Sequence, residues 1–572
     1  MKILILGSAF NGLCQRVQRE LILMGHDVDQ NYGMDETLLR SQLFNFAPQL
    51  IVCPFLTHRI PDDIWRDHPC LIVHPGIVGD RGPSSLDWAI SQRKTSWGVT
   101  LLQADAEMDA GDIWGTENFI LRQASKTSVY KREVSQAAVN LIKNAVRDCQ
   151  RDSFRPLPLD YRRPEVKGTL QPMMRQVDRA IDWATETTAS ILDKINAADT
   201  TPGVLDEIFG VPAHIFGASL EPVLRGAPGE ILALAHGAVC RATSDGAIWI
   251  RQAKTKFCEA IPPIKLPAAT LAQQRLAPAE FQRLSECGNT TAFNDIEVHY
   301  LDNAAYIYFD FYNGAASTDQ CIRLKEAIIT AKKSSASTLV LMGGENFFCN
   351  GIHLNTIEAA ADPAHESWLN INAIDDVILE IINSPNQITL AALRNNAGAG
   401  GAILALACDT VIGRDGIVLN PHYNNMGLYG SEYWTYLLPK RVGAERAQAI
   451  TTACQPMLGS EALDMRFVDE LFHENWDQFH LELEHYVREM SNPENRTLLL
   501  ANKRLQRQQD EATKPLELYR RAELEQLQQT FEDPQSYYHR ARHNFVYKIA
   551  PQIPCWSNAT HENLERTMGE TA

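Results

Sequence analysis

Two separate blocks of alternating strand and helix pattern, with a proline- and glycine-punctuated stretch between them, most constrain what this chain can fold into. The first block opens on the apolar run KILIL (2–6), passes through the loop GSAFNG, and continues as a helical pattern to about residue 24. Apolar runs at QLIVC (49–53) and CLIV (70–73), with helical patterns between them, predict a parallel α/β sheet. RDSFRPLPLDYRRPEVKG, in the 151–172 stretch, carries the proline and arginine density of a linker. Residues 173–265 have many Gly and Pro breaks and alternating runs such as AIWIRQA, the pattern of a small β-rich domain. LPAATLAQQRLAPAEFQRLS then reads as a connector with a short helix.

The second block begins near residue 290. Strands are predicted at EVHYL, AYIYFDF, TLVLMG and ITLAAL, and helices at 319–333, 368–383 and 400–408. Beyond 475 the chain is helical and charged, which by pattern alone is a solvated amphipathic face packed on its own domain. The boundaries that follow are 1–165, 173–265, a linker at 266–288, 289–475, and a helical extension over 476–572.

A length of 572 residues exceeds one ordinary core and agrees with several domains. The net charge of −17 is opposite to the basic surplus of a domain that grips a nucleic-acid backbone, so no nucleic acid is expected as partner. The first residues lack the charged start and cleavage site of a signal peptide, and no run reaches the roughly 18 apolar residues of a membrane helix. The twelve cysteines are scattered, with no Cys-x-x-Cys pair. The reading is a cytoplasmic protein with reduced thiols, no membrane association and no structural metal. The first loop is Gly7-x4-Gly12, not Gly-x-Gly-x-x-Gly, and no acidic residue closes a strand as ribose binding requires.

Chemistry first gathers at His74, at the end of an apolar strand where open α/β sheets place their sites. Arg81-Gly82-Pro83 follows, then WGVTLLQADAEMDAGDI (97–113), with Asp109 in a tight turn. An imidazole that handles a proton and a carboxylate that fixes its tautomer suit acyl transfer. Spacing alone does not pair a His and an Asp about 35 residues apart. The motif set does: His74, Arg81-Gly82, Trp88-Ala89-Ile90, Gly98-Val99-Thr100 and Met108-Asp109-Ala110-Gly111-Asp112 resemble the 10-formyltetrahydrofolate-dependent formyltransferases. AIDWA (180–184) and GAPGEILA (226–233) are similar to that family's small C-terminal domain. The resemblance implies a Rossmann-like fold, catalysis by His74 and Asp109, and cofactor contacts at Arg81 and Gly82. It also exposes a departure. The family's asparagine, which donates to the tetrahedral oxyanion, falls on Ile72. Loss of one such donor typically costs about 10²–10³ in rate, so either another group compensates, or the step has changed, or the acceptor makes it easier, as a thiol, more nucleophilic than an amine, would.

The second gathering is NFFCNGIHLNTIEAA (346–360) with LAALRNNAGAGGAILALACDTVIG (390–413). Each places small residues at a turn before a helix, where backbone N–H groups can approach a carbonyl. Tight helix–strand packing explains such glycines equally well. Together with LPKRVGAERAQAI (438–450) and SEALDMRFVDELF (460–472), the runs resemble the crotonase (enoyl-CoA hydratase/isomerase) superfamily, a ββα spiral fold. The resemblance implies an oxyanion hole from the N–H groups of Ile352 and Gly400, coenzyme A contacts at Gly351 and Gly401, and no metal. The two hydratase glutamates fall on Ile403 and near Asn420-Pro421-His422, so ordinary hydration is not expected. LNPHYNNMGLYGSEYWTYLLP offers His422, Tyr423, Tyr429, Glu432, Tyr433 and Tyr436 in their place. These are either an aromatic core or a replacement acid/base set led by Glu432 with Tyr423.

The module order, the 419–443 segment and the tail YYHRARHNFVYK (537–548) resemble the HypX (HoxX) hydrogenase maturation factors. The resemblance implies formyl transfer from 10-formyltetrahydrofolate to coenzyme A, decarbonylation of formyl-CoA, and carbon monoxide for a [NiFe] hydrogenase with its maturation proteins as partners. The rival readings are a formyltransferase acting on tRNA or an amino sugar, and a non-catalytic assembly scaffold.

Overall fold

The computed structural model describes residues 1–33, 35–256, 263–288 and 293–549, and the chain divides into two compact units at Phe293/Asn294. The first unit opens with six strands: β1 (Lys2–Gly7), β2 (Asp27–Tyr32), β3 (Leu50–Cys53), β4 (Cys70–His74), β5 (Ser96–Gln103) and β6 (Ile113–Ile120). They lie in the order β2-β1-β3-β4-β5-β6. Ile3, Leu4, Ile5 and Leu6 are all fully buried, because helices cover both faces of the central strands. Asn11 caps the helix Gly12–Leu23 by accepting from the Cys14 N–H, which ends the GSAFNG loop.

The three strands expected at 2–6, 49–53 and 70–73 are parallel neighbours, and the sheet continues past them in the opposite sense. β1 to β4 run parallel, but β5 is antiparallel to β4 and β6 is antiparallel to β5. Between β5 and β6 the reversal follows from connection length: only a loop joins them, and a parallel crossover needs a dozen or more residues. The reversal at β5 leaves His74, at the end of β4, paired with Thr100 of β5.

A small antiparallel sheet follows: β7 (Val204–Ile208), β8 (Val211–Glu221), β9 (Ile231–Ala235), β10 (Ala238–Ala242) and β11 (Ala247–Thr255), ordered β7-β8-β11-β10-β9, with β12 (Leu266–Pro267) against β11. The expected single-helix connector contains two helices, Ala269–Arg275 and Pro278–Gly288, because proline suits a helix start but not an interior.

The second unit has the sheet β13 (Ile296–Leu301), β14 (Ala304–Phe309), β15 (Thr338–Gly343), β16 (Ile388–Leu393), β18 (Thr410–Arg414) and β21 (Glu470–Phe472), adjacent in that order. Beside it lies a small sheet of β17 (Ala397–Gly398), β19 (Val418–Asn420) and β20 (Met457–Leu458). The four predicted strands and the helices Thr318–Lys333, Pro363–Ile382 and Gly400–Ala405 fall where the pattern puts them, with shifts at their ends. The final helices, Trp476–Met490, Pro493–Thr513, Leu516–Glu532 and Tyr537–Tyr547, pack on this unit. Leu516, Leu524, Leu527, Phe531 and Tyr538 join its main buried cluster. Among the described residues every cysteine is a free thiol, and no helix is long and apolar enough to cross a membrane.

Candidate functional site

Each unit holds a gathering of polar groups at the end of a strand. In the first, β4 carries His74 into a buried position with its ring between two carboxylates. Nε2 lies 2.9 Å from Asp80 Oδ2, and Nδ1 lies 3.6 Å from Asp109 Oδ1. The nearer contact is a hydrogen bond; the farther is outside hydrogen-bonding range. Asp109 sits at φ 56° in the β5–β6 turn, a left-handed conformation uncommon for a residue with a side chain. It is held there because its Oδ2 accepts from the Gly82 N–H at 3.1 Å. Arg81 clamps the same turn: Nε donates to the Met108 carbonyl and Nη2 to Glu107 Oε2. Arg81 and Gly82, expected to touch the cofactor, thus position the loop that presents Asp109.

The proline- and arginine-rich stretch does not hang free. The Gly168 N–H donates to Val78 O, Arg81 N–H to Thr169 O and Gln171 N–H to Arg81 O, so residues 168–171 run along the loop after His74. Ile72, two residues before His74, packs among apolar side chains.

In the second unit the turn at Gly351 approaches the start of the helix Gly400–Ala405. A Cβ built on Gly351 would lie 3.2 Å from Gly400 N, and one on Gly401 would lie 2.2 Å from the Cys349 carbonyl oxygen. Among the described residues, neither the Ile352 nor the Gly400 N–H donates to a backbone carbonyl. Two unused amides on adjacent turns are the donors an oxyanion hole requires. A Cβ on Gly400 would fall 1.8 Å from Glu432 Oε1, so the Glu432 carboxylate lies directly against this turn.

Glu432 and Tyr433 are consecutive non-glycine residues at φ 61° and 55°. Such backbone is costly and persists only when surrounding contacts fix it. Here the Glu432 N–H donates to Asp375 Oδ1 at 2.9 Å, the Ser431 hydroxyl donates to both Asp375 oxygens, and the Ser431 N–H donates to Glu432 Oε2. A third carboxylate, Glu523, comes from the C-terminal helix Leu516–Glu532 and is fully buried. Its Oε1 accepts from the Thr435 N–H and hydroxyl, while Oε2 has no partner.

Burial, reinforced by the neighbouring Asp375 charge, pushes Glu432 and Glu523 each up to about 8. Burial also raises Asp375 to about 6, against the Ser431 bond and the nearby Arg520 guanidinium. Like-charged acids in a dry pocket resist ionising together, so the cluster retains protons at neutral pH. Tyr423 is buried, its hydroxyl has no hydrogen-bond partner, and burial holds its pKa well above the ordinary phenol value. Leaving such a group unpaired costs about 1–3 kcal/mol. The ring is seated by Gly430, where an added Cβ would come within 2.4 Å of Tyr423.

Tyr436 and Tyr429 have other surroundings. Tyr436 bonds Asp510 at 2.8 Å and Arg507 at 2.9 Å, and Tyr429 is 43% exposed against Trp434. His422 Nδ1 bonds the Asn420 carbonyl, and burial lowers its pKa. Sequence reading missed Asp80, Asp375 and Glu523. Asp80 adjoins the Arg-Gly motif and was within reach as a carboxylate six residues after the histidine. Glu523 stands in a run of charged helix with nothing to mark it as buried.

Comparison with known proteins agrees with this two-part arrangement. Residues 173–263 match the family described as formyl transferase, C-terminal domain, and residues 315–553 match enoyl-CoA hydratase/isomerase. The hydrogenase maturation factor HoxX of Bradyrhizobium diazoefficiens is 40% identical over 553 residues, covering 96% of this chain and 95% of that protein. The chain belongs to the HypX/HoxX family of hydrogenase maturation factors.

The solved structure of HypX from Aquifex aeolicus in complex with tetrahydrofolic acid aligns with a TM-score of 0.90 at 39% identity, covering 97% of each chain. A methionyl-tRNA formyltransferase of Syntrophus aciditrophicus is 25% identical over 203 residues, covering 35% of this chain and 64% of that protein. The family's architecture, a formyltransferase-like α/β part followed by a crotonase fold with a helical C-terminus, is therefore that of this chain.

Proposed function

We propose that this chain makes carbon monoxide for a [NiFe] hydrogenase in two steps, using 10-formyltetrahydrofolate and coenzyme A in the cytoplasm. In the first, the coenzyme A thiol attacks the formyl carbon. The S–C bond forms, the C–N10 bond breaks, and His74 carries the thiol proton to N10, releasing tetrahydrofolate. Tetrahydrofolic acid bound to the Aquifex relative supports folate as the donor. Ile72 supplies no hydrogen bond to the oxyanion, which favours a thiol over an amine as acceptor and argues against formylation of tRNA or an amino sugar.

In the second step the formyl-CoA carbonyl oxygen sits between the Ile352 and Gly400 N–H groups. Its carbonyl carbon bears only hydrogen, so enolate chemistry has no α-carbon to act on. Glu432 takes that hydrogen as a proton, and the C–S bond breaks with its electron pair going to sulfur. Carbon monoxide leaves, and the proton returns to the thiolate. The Tyr423 hydroxyl, otherwise unpartnered, gives the departing sulfur a hydrogen bond and keeps its own proton.

One observation carries this reading: a buried glutamate with raised proton affinity rests against Gly400, whose N–H, like that of Ile352 on the adjacent turn, donates to no backbone carbonyl among the described residues. The test supplies 10-formyltetrahydrofolate and coenzyme A to purified protein and follows carbon monoxide with a haem protein. Carbon monoxide in step with tetrahydrofolate supports the proposal. Tetrahydrofolate without carbon monoxide, or no requirement for coenzyme A, removes it.

A further inference from the structure

The first site is wired differently from a simple histidine–aspartate pair. Asp80 and His74 are both nearly inaccessible, with side chains 2% and 5% exposed, and they meet at 2.9 Å. Gly76 makes the meeting possible: a Cβ there would lie 2.4 Å from both Asp80 Oδ2 and His74 Nε2. The Asp80 N–H donates to Ile77 O at 2.9 Å, closing a tight turn. Gly168 presses on the other side, where an added Cβ would come within 1.8 Å of Asp80 N. The Asp80 backbone is therefore held by the turn and by the 168–171 segment, and its buried carboxylate is presented to the ring.

We propose that Asp80 is the positioning residue that fixes the tautomer of His74, leaving Nδ1 as the nitrogen that handles the transferred proton on the Asp109 side. The inference rests on the reading of His74 as the proton carrier in formyl transfer. A carboxylate accepts and does not donate, so the 2.9 Å contact puts the ring proton on Nε2. The Nδ1 lone pair then faces the 3.6 Å interval to Asp109 Oδ1. During transfer the thiol proton moves to Nδ1 as the S–C bond forms, giving an imidazolium between two carboxylates. The same proton passes to N10 as the C–N10 bond breaks. Asp109, kept in place by the Gly82 N–H, is relieved of the orienting task.

The experiment measures tetrahydrofolate formation by full-length protein with 10-formyltetrahydrofolate and coenzyme A, across pH, for wild type, His74→Ala, Asp80→Asn and Asp80→Glu. It is paired with ¹⁵N spectra of histidine-labelled protein, His74 being assigned by difference. Asparagine keeps the shape but offers an N–H₂ to Nε2, which drives the ring proton to Nδ1. Asp80→Asn is expected to lower kcat by about 10²–10⁴, the scale for a mis-set tautomer in catalytic triads. The folate KM should stay within about threefold and the acid limb of the pH profile should change. Asp80→Glu should recover at least about tenfold of that loss. Wild-type His74 should carry its proton on Nε2. Loss of transfer in His74→Ala with wild-type kcat in Asp80→Asn overturns this inference alone. So does a wild-type spectrum with the His74 proton on Nδ1, which holds even where Asp80→Asn does not fold. Retained transfer in His74→Ala removes the underlying reading and this inference with it.

Discussion

The two candidate sites are built by different means. The first is local: β4, the loop behind it and the β5–β6 turn supply His74, Asp80 and Asp109, joined by the His74–Asp80 hydrogen bond and the bond from the Gly82 N–H to Asp109. The second draws Asp375 from one helix, Glu432 from a strained loop and Glu523 from the C-terminal extension, far apart in sequence. Its carboxylates are buried together and hold protons, whereas the first site sets a single imidazole between acids. A local site tunes geometry; a site assembled at depth from distant elements tunes proton affinity, because only tertiary packing excludes water from three acids at once.

Crossed substitutions break or sharpen this contrast most strongly. His74→Ala should abolish tetrahydrofolate formation yet leave carbon monoxide release from supplied formyl-CoA intact. Glu432→Gln should do the reverse, lowering release by about 10²–10⁴ while folate turnover continues. Two variants that both lose both steps would show that the sites do not divide the chemistry.

Gly400→Ala comes next. Its methyl group would fall 1.8 Å from Glu432 Oε1 and displace the carboxylate, so carbon monoxide release should drop about a hundredfold with folate turnover unchanged. A smaller effect, visible without mutation, is the pH profile. A base raised to about 8 works only when ionised, so release should climb as pH rises toward 8 and flatten above it. A pH-independent rate between about 6 and 9 would remove Glu432 as the base.

The smallest expected change concerns stability. Folding raises Glu523 from 4.5 to about 8, so the folded state binds more protons than the unfolded across that window, and stability falls as pH rises through it. A glutamine in its place would keep the Thr435 bonds but not ionise. Glu523→Gln should therefore gain a few degrees of Tm over wild type near pH ~8.5 and little near pH ~5, read by thermal melts.

Legible in the sequence by itself were three strands of the first block, four strands and three helices of the second, the turn glycines, and His74, Asp109 and Glu432 as candidates. These signals live in periodicity and short motifs, where a few neighbouring side chains decide the local backbone. It did not determine the antiparallel turn of β5 and β6, nor that Arg81 would clamp a loop. It also did not show that Asp80 would reach His74, or that Glu523 would lie fully buried in a helix whose charges look solvated. Those depend on which surfaces meet, and the free energy of burying a charge is set by its three-dimensional surroundings, not by its neighbours along the chain.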